Sequence, residues 1–600
     1  MPYDVGNSNE AYRIQICDHI LDNIYGQIGL TEVERALERL PIFKRLHNIS
    51  QLGLVNLIFP CALHTRYTHS LGVMHIAGEM AIRINRNMKC AFFDDSDIQI
   101  IRLAGLLHDI GHYPMSHNIE QAYQESRNLQ KYKEEEVSKN LKYYTNCPGF
   151  LSPLSPPPED EKEKKLQAEE DFANGFSGSD GMHHEYMGCQ IISMNQDIYR
   201  VVRDNFVLLN VNGRRVLNPK FAVWEKDGSP CSSVDETKVD QITSKLLWAI
   251  GEMVRGNYEN GVDELYPWLE KYSAMIQIIH SDMDADNFDY LMRDATFSGT
   301  SYGLMDMGVL LNCLVVCPLK QESTGKTKYI IGVQKKGVGC IEQFLLNKFL
   351  AYSQMILTKY VSILEAMLLK LEAKYIIPDD RDYTCDKLSN LTKSTCSEVK
   401  YLAFTDHYVH RKIFDLEEAK NALSLLPGAI VTHLANLSAL NLVDNDEYEC
   451  ICTGIDSSAI RQEIMDSAVY QRFLNVYEQI KDKNGNQIDN TDLDAQLFSF
   501  RFETYSLTKQ IPIEDFRTRF LFSDMEPNRR FNFYYYRFGS GIPVLEKGKT
   551  YSYCEDEANN AILDGLPLLS VDTPQSSLRD LYSMKYVSIR QYNVCKYSSQ

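Results

Sequence analysis

The sequence predicts a mainly α-helical protein with small β-hairpin insertions and a C-terminal α+β region. Three observations carry that expectation. Apolar residues recur at roughly helical period in the first quarter of the chain, as in Ile98, Ile101, Leu103, Leu106 and Leu107. Asn-Gly and Asp-Gly turn signals punctuate short β-type runs within 206–236. Beyond about residue 380, helix-like words such as DLEEAKNALSLL alternate with aromatic, strand-like words such as FNFYYYRF and KTYSYC.

Taken in order, residues 10–145 read as helix after helix. Asp97 sits near the start of the Ile98–Leu107 stripe, where a carboxylate suits the helix dipole, and Gly111 and Pro114 break the run. Residues 148–182 are rich in Pro, Glu, Lys, Gly and Ser and read as a mobile insertion. Residues 183–205 are helical again, followed by the hairpin region at 206–236 and helices from 237 to 312. A short β pair near 313–335 leads into a long helix near 338–372. Helix-like SAIRQEIMDSAVYQRFLNVYEQI falls in the mixed C-terminal part. A chain of 600 residues exceeds what one hydrophobic core usually holds. The expected division is a catalytic core at 1–375 and a C-terminal regulatory or oligomerisation region at 376–600.

Composition narrows the function classes. Apolar residues make up 44%, enough for a sizeable core. A net charge of −19 argues against a general nucleic-acid or anionic-membrane surface, so an anionic substrate needs a local basic pocket or a metal. The 15 cysteines form no paired C-x-x-C set, which fits free thiols in a reducing cytoplasm. The first residues lack a signal-peptide pattern, and no run of about 20 apolar residues occurs, so a cytoplasmic protein without a membrane span is expected.

Three segments carry the chemistry: HTRYTHSLG at 64–72, GLLHDIGHYPMSH at 105–117 and SDMDADNFDYLMRD at 281–294. A lone His is more often a hydrogen-bonded core residue than a ligand. The clustering reverses that weighting. His108 and Asp109 end an apolar helix and offer one nitrogen and one oxygen ligand. A second His and a second Asp from other helices would complete an N₂O₂ set suited to Mn, Fe, Co, Ni or Zn. Asp286, Tyr290 and Asp294 are spaced four and four and share one helix face, while Asp289 and Arg293 form an i,i+4 pair on the neighbouring face.

The order His69, His108–Asp109, Asp286, with the words QLGLVNLIFPCALHTRYTHSLGVMHIAG and AGLLHDIGHYPMSH, resembles the HD-domain phosphohydrolases. The words are closest to the deoxynucleoside triphosphate triphosphohydrolases of animals and bacteria, from about Leu40 to Gly303. The resemblance implies that His69, His108, Asp109 and Asp286 ligate a divalent ion (Mn, Fe, Mg, Zn, Co or Ni), with room for a second Mg arriving with the substrate. It implies that Arg66 grips a phosphate through a fork of hydrogen bonds. Tyr290 would lie on the deoxyribose, Asp294 near the 3′-hydroxyl, and Gln51 and Leu52 along the sugar, with Leu52 crowding a ribose 2′-hydroxyl. His112, His117 and His184 would contact phosphates or transfer protons, with Glu120 orienting His184 and Glu185 completing a His-Glu pair. The implied reaction converts a dNTP to deoxynucleoside and triphosphate, with an antiphage role among bacterial relatives.

The chain also departs from that pattern. Asn287 replaces a phosphate-binding Lys, and Lys348 aligns with an Arg that reaches the terminal phosphate. Arg39, Lys44 and His47 stand where an animal relative reads a guanine activator, so an effector there would be a different nucleotide or anion. A homo-oligomer (dimer, tetramer or hexamer) is implied, with a protein contact through the C-terminal region as a further option. Two other readings stand beside this one: an HD nucleotidase or cyclic-nucleotide phosphodiesterase, and a non-catalytic nucleotide-sensing scaffold.

Overall fold

The computed structural model describes residues 12–120, 183–221, 233–256, 271–321, 327–356, 399–415 and 542–555 almost continuously, with shorter pieces including 3–5, 443–453, 497–506 and 584–594. The expected insertion at 148–182, the Asp-Gly turn within 222–232 and the two helices expected at DLEEAKNALSLL and SAIRQEIMDSAVYQRFLNVYEQI lie wholly or almost wholly outside the described residues.

The described part is mainly helical, as expected. The stretch expected to be helical from residue 10 opens with a β-hairpin, β1 (Asp18–Asp22) and β2 (Gly26–Leu30), paired antiparallel from Asp18↔Leu30 to Asp22↔Gly26. Exposure alternates along β1, the period of a strand. The Asp22 carboxylate accepts the Ile24 and Tyr25 N–H groups at 2.8 and 3.1 Å, closing the turn.

Helix α1 (Glu32–Glu38) follows, then α2 (Arg66–Met88) and α3 (Asp95–Leu107). Asp94 caps α3 by accepting the Asp97 N–H at 2.9 Å, and Asp97 returns a carboxylate to the Asp94 N–H at 3.1 Å. The acidic start read from sequence is thus a reciprocal cap. All residues of α3 from Ser96 to Leu107 are buried, because the helix is covered on every side. Arg102 of α3 forks onto Glu34 of α1 with two 2.7 Å bonds, tying the two helices through a buried ion pair.

Further along come α4 (His183–Met194), α5 (Gln196–Val202) and the expected hairpin, β3 (Leu208–Val211) with β4 (Arg214–Leu217) around Asn212-Gly213. Then α6 (Glu236–Val254), α7 (Tyr272–Ile279) and α8 (Ala285–Ser298) complete the helices around the site. The expected β pair is β5 (Leu314–Gln321) and β6 (Thr327–Val333), antiparallel from Leu314↔Val333. The helix expected over 338–372 begins as α9 (Val338–Ala351) and passes through a π-helical turn, Tyr352–Ile356; Val361, Glu365 and Leu368 are helical again, and most of 357–398 lies outside the described residues.

Beyond 398, α10 (Asp406–Asp415) reaches back to the core. The Asp406 carboxylate accepts the Ser50 and Met115 N–H groups at 2.8 and 2.7 Å, and Arg45 donates to Phe404 O at 2.9 Å. Strands β7 (Val443–Thr453), β8 (Leu497–Ser506) and β10 (Met584–Val594) form an antiparallel sheet with β10 in the middle. The word KTYSYC holds β9 (Tyr551–Glu555), which pairs parallel with β5. FNFYYYRF holds a two-residue strand, Tyr535–Tyr536. Among the described residues, no helix is long and apolar enough to cross a membrane.

Candidate metal centre

His69 stands one turn into α2, His108 caps the end of α3, Asp109 follows it, and Asp286 is the second residue of α8. Three separate helix ends therefore converge. The His69 and His108 Nε2 atoms lie 3.2 Å apart, and Asp286 Oδ1 is 2.9 Å from His69 Nε2. Asp109 Oδ1 is 3.4 Å from His108 Nε2, while its Oδ2 is taken by Arg66 Nη1 at 2.6 Å. His69, His108 and Asp286 each place a donor atom within 4.8 Å of the others, and Asp109 flanks them.

The second nitrogens decide what this group can hold. His69 Nδ1 faces Asp289 Oδ2 at 2.7 Å, and His108 Nδ1 faces Gly105 O at 2.9 Å. With a proton on each Nδ1 facing these acceptors, both Nε2 atoms would turn lone pairs to each other. Two lone pairs at that distance repel unless a proton or cation lies between them. The spacing also suits two nitrogens on one ion with bonds of about 2.0–2.1 Å. Burial pulls the His69 pKa down, but the Asp286 and Asp289 carboxylates outweigh it and push it up to about 10. The group thus strongly favours a positive charge at its centre, and the donor set fits a borderline divalent ion.

Asp289 supports the centre from behind. Its other bonds go to Arg293 Nε and Nη2 at 2.8 and 3.0 Å, and Arg293 Nη1 reaches Asp22 at the hairpin turn at 2.8 Å. The i,i+4 pair expected on a separate face is real, and it also orients His69. Gly72, one turn beyond His69, makes room for this: a Cβ there would meet Asp289 Oδ1 at 1.9 Å.

A second cluster lies alongside. His112 and His184 stack with centroids 4.0 Å apart, and His117 meets them edge-on at 5.0 and 5.2 Å. Glu120 Oε2 is 3.1 Å from His184 Nδ1 and 3.5 Å from His117 Nδ1, so the expected role of Glu120 in orienting His184 has its geometry. Burial disfavours charge on His184, but Glu120 outweighs it and raises its pKa. Burial, reinforced by Arg66, holds His112 well below the usual range. Gly111 sets the distance between the HD turn and α4: a Cβ there would meet Gly188 N at 2.1 Å and His184 O at 2.4 Å. Glu185 points elsewhere, with Oε1 3.7 Å from His280 Nδ1.

The remaining expected residues divide. Arg66 is 5% exposed, bound to Asp109 and, through Nη2, to Ser116 Oγ. Met115 and Ser116 have φ of 53° and 59°, a left-handed pair in non-glycine residues that turns Ser116 toward Arg66. Gln51 is buried with Oε1 unpaired among the described residues, and its backbone oxygen lies 3.4 Å from Ser116 Oγ. Leu52 packs with Val55, Met355 and Val361. Tyr290 donates to Asn287 Oδ1 at 3.1 Å. Asp294 is 2% exposed and bound by His64 Nε2 at 2.7 Å, with His64 stacked on Phe297. Lys348 is half-buried on α9, and among the described residues no hydrogen bond or ion pair joins it to the cluster. At the expected effector position, Lys44 pairs with Glu38, His47 stacks on Tyr67 at 3.6 Å, and Arg39 lies 3.9 Å from Asp18.

Asp289, Ser116, His64 and Asp406 are the functional neighbours that the sequence reading missed. His64 and Ser116 lie inside the quoted words, but nothing local signals their partners. Asp406 is separated from Ser50 by 356 positions.

Residues 66–193 match the HD domain family. The chain is 25% identical to an uncharacterised protein of Methanocaldococcus jannaschii over 405 residues, 68% of this chain and 59% of that one. It is 28% identical to an uncharacterised protein of Mycoplasma pneumoniae over 312 residues, 52% of this chain and 48% of that one. It is 41% identical to the deoxynucleoside triphosphate triphosphohydrolase SAMHD1 of Danio rerio over 96 residues, 16% of this chain and 15% of that one. The chain thus spans about half the length of the first two relatives.

Proposed function

We propose that this HD-domain chain is a metal-dependent phosphohydrolase that converts deoxynucleoside triphosphates and water to deoxynucleosides and triphosphate. The observation that carries the reading is the convergence of the His69 and His108 Nε2 atoms, 3.2 Å apart, beside the Asp286 carboxylate. A divalent ion bound there would acidify water and offset phosphate charge. Arg66, held by Asp109 and Ser116, turns its guanidinium toward the same space. His112, His117 and His184 line the neighbouring wall, from which charge or a proton reaches the leaving 5′-oxygen. Asp286, Tyr290 and Asp294 share one face of α8, where the sugar would lie. Gln51, with its unpaired Oε1, borders that face through the Gln51 N–H bond to His64 O at 3.1 Å and the His64–Asp294 bond.

The similarity to triphosphohydrolases of deoxynucleotides supports the substrate class, over a short part of the chain. A homo-oligomer, a nucleotide effector and a role for residues 376–600 in either belong to the same proposal. A second reading, hydrolysis of a nucleoside monophosphate or cyclic nucleotide, draws support from Asn287. Its Nδ2 is committed to Asp284 Oδ1 at 2.7 Å and Ser281 O at 3.2 Å, so that position offers no cation to a triphosphate.

The test is product identity. Purified chain is incubated with each dNTP, singly and mixed, with Mn²⁺ or Mg²⁺, and products are resolved by anion exchange. Tripolyphosphate with free deoxynucleoside is the expected result. Orthophosphate or a linear nucleotide from other substrates, with no tripolyphosphate from any dNTP mixture, would move the assignment to the second reading.

A further inference from the structure

The turn that follows the His108–Asp109 pair is clamped by residues outside the matched HD segment, 66–193. His112 O accepts Arg45 Nη2 at 2.7 Å, and Arg45 Nε donates to Phe404 O at 2.9 Å. Asn118 Nδ2 donates to Glu365 O at 2.9 Å. Between these two points the Met115 N–H donates to Asp406 Oδ1 at 2.7 Å, and the second oxygen of that carboxylate accepts the Ser50 N–H at 2.8 Å.

The middle of the clamped turn is strained. Met115 and Ser116 have φ of 53° and 59°. Left-handed backbone is costly for a residue with a Cβ, and two such residues in succession persist only where their surroundings hold them. The strained turn aims one hydroxyl. Ser116 Oγ accepts from Arg66 Nη2 and donates to Gln51 O at 3.4 Å. Asp109 holds Arg66 Nη1 at 2.6 Å, so Ser116 is the second point that fixes the plane of the guanidinium. Asp406 thus grips both strands of this contact, Met115 beside Ser116 and Ser50 beside Gln51.

We propose that Asp406 is a positioning residue for Arg66: its carboxylate keeps the Met115–Ser116 turn left-handed, and the turn keeps Ser116 Oγ on the guanidinium. The consequence for substrate rests on the phosphohydrolase reading, in which Arg66 grips a phosphate. The conformation of the turn does not depend on that reading, so the two ideas fail separately.

Crystal structures of the full-length Mn²⁺-loaded variants test the turn, and calorimetry with tripolyphosphate tests the grip. Asp406→Ala removes both acceptors. At least one of Met115 and Ser116 should relax to negative φ, with Ser116 Oγ off Arg66. A lost hydrogen bond to a charged group should weaken tripolyphosphate ~10-fold, at unchanged Mn²⁺ content. Adding Met115→Gly removes the strain at one of the two positions, so the double variant should regain the left-handed turn and most of the affinity. Met115 is 3% exposed, so Met115→Asn, a residue that also visits left-handed backbone, replaces the glycine where circular dichroism shows misfolding. A left-handed turn with Ser116 still on Arg66 in Asp406→Ala would overturn the proposal. So would a lost affinity that neither second substitution restores, because Asp406 would then act by charge alone. Equal tripolyphosphate affinity in wild type and Arg66→Lys would instead remove the phosphate role of Arg66, while the crystal structures still decide the role of Asp406.

Discussion

Asp289→Asn separates a metal centre from an ordinary buried ion pair. The substitution keeps shape and removes one charge. In the native site, Asp289 accepts from His69 Nδ1 at 2.7 Å and from Arg293 Nε and Nη2 at 2.8 and 3.0 Å. An Asn amide cannot serve both. With its oxygen toward His69, its NH₂ opposes the guanidinium. With its NH₂ toward His69, the imidazole proton moves to Nε2, where the ion must bind. Loss of such a support typically weakens metal affinity ~10–100-fold. That is about 1.4–2.8 kcal/mol at 1.4 kcal/mol per decade. Arg293 keeps Asp22 at 2.8 Å, so the stability loss should fall below the ~3–5 kcal/mol of a fully orphaned buried charge. Equilibrium dialysis against Mn²⁺ measures the affinity, and a denaturant melt of the stripped protein measures stability. A folded variant with wild-type Mn²⁺ affinity would refute the reasoning and leave Asp289 a partner of Arg293 alone.

Other outcomes follow from the same geometry. Gly111→Ala drives a methyl into Gly188 N and His184 O, so it should cost ~1–3 kcal/mol as an overpacked contact and, by shifting His184 about 1 Å, lower turnover ~100-fold; near-normal kcat in a steady-state assay would show that α4 relaxes freely. Glu34 is a carboxylate whose burial raises its pKa but whose Arg102 partner lowers it further, so its stabilising share is complete above the unfolded-state pKa and fades as pH falls through the lower folded value. Glu34→Gln should therefore destabilise by ~3–5 kcal/mol at pH 7, the cost of orphaning buried Arg102, and the gap to wild type should narrow in acid melts; a pH-independent gap counts against that pair. Divalent metal at about 100 times its Kd should raise the unfolding free energy by ~2.7 kcal/mol, read as a chelator-reversible rise in melting temperature. Asp406→Ala frees the Ser50 and Met115 N–H groups, so KM should rise several-fold with the metal content unchanged; unchanged KM would separate α10 from the site.

Much of the centre was legible because its signals are local. His108 and Asp109 adjoin, and the i,i+4 rule puts Asp286, Tyr290 and Asp294 on one face of α8. What was illegible is what crosses the chain. Sequence spacing pairs Asp289 with Arg293 and cannot reveal His69, 220 positions away. His64 looked like flanking text until Asp294, 230 positions on, closed on it. The β1–β2 hairpin was missed because five-residue strands give little period to read, and the helical run after it dominated the window. The resemblance pairs Glu185 with His184, yet neighbours on a helix point about 100° apart, and Glu185 faces His280.

Anomalous diffraction at the manganese edge, from crystals of the Mn²⁺-loaded chain, tests the four-ligand centre most directly. The expected result is a peak about 2.0–2.3 Å from His69 Nε2, His108 Nε2 and carboxylate oxygens of Asp109 and Asp286. Clear density for these side chains with no anomalous peak among them would contradict it.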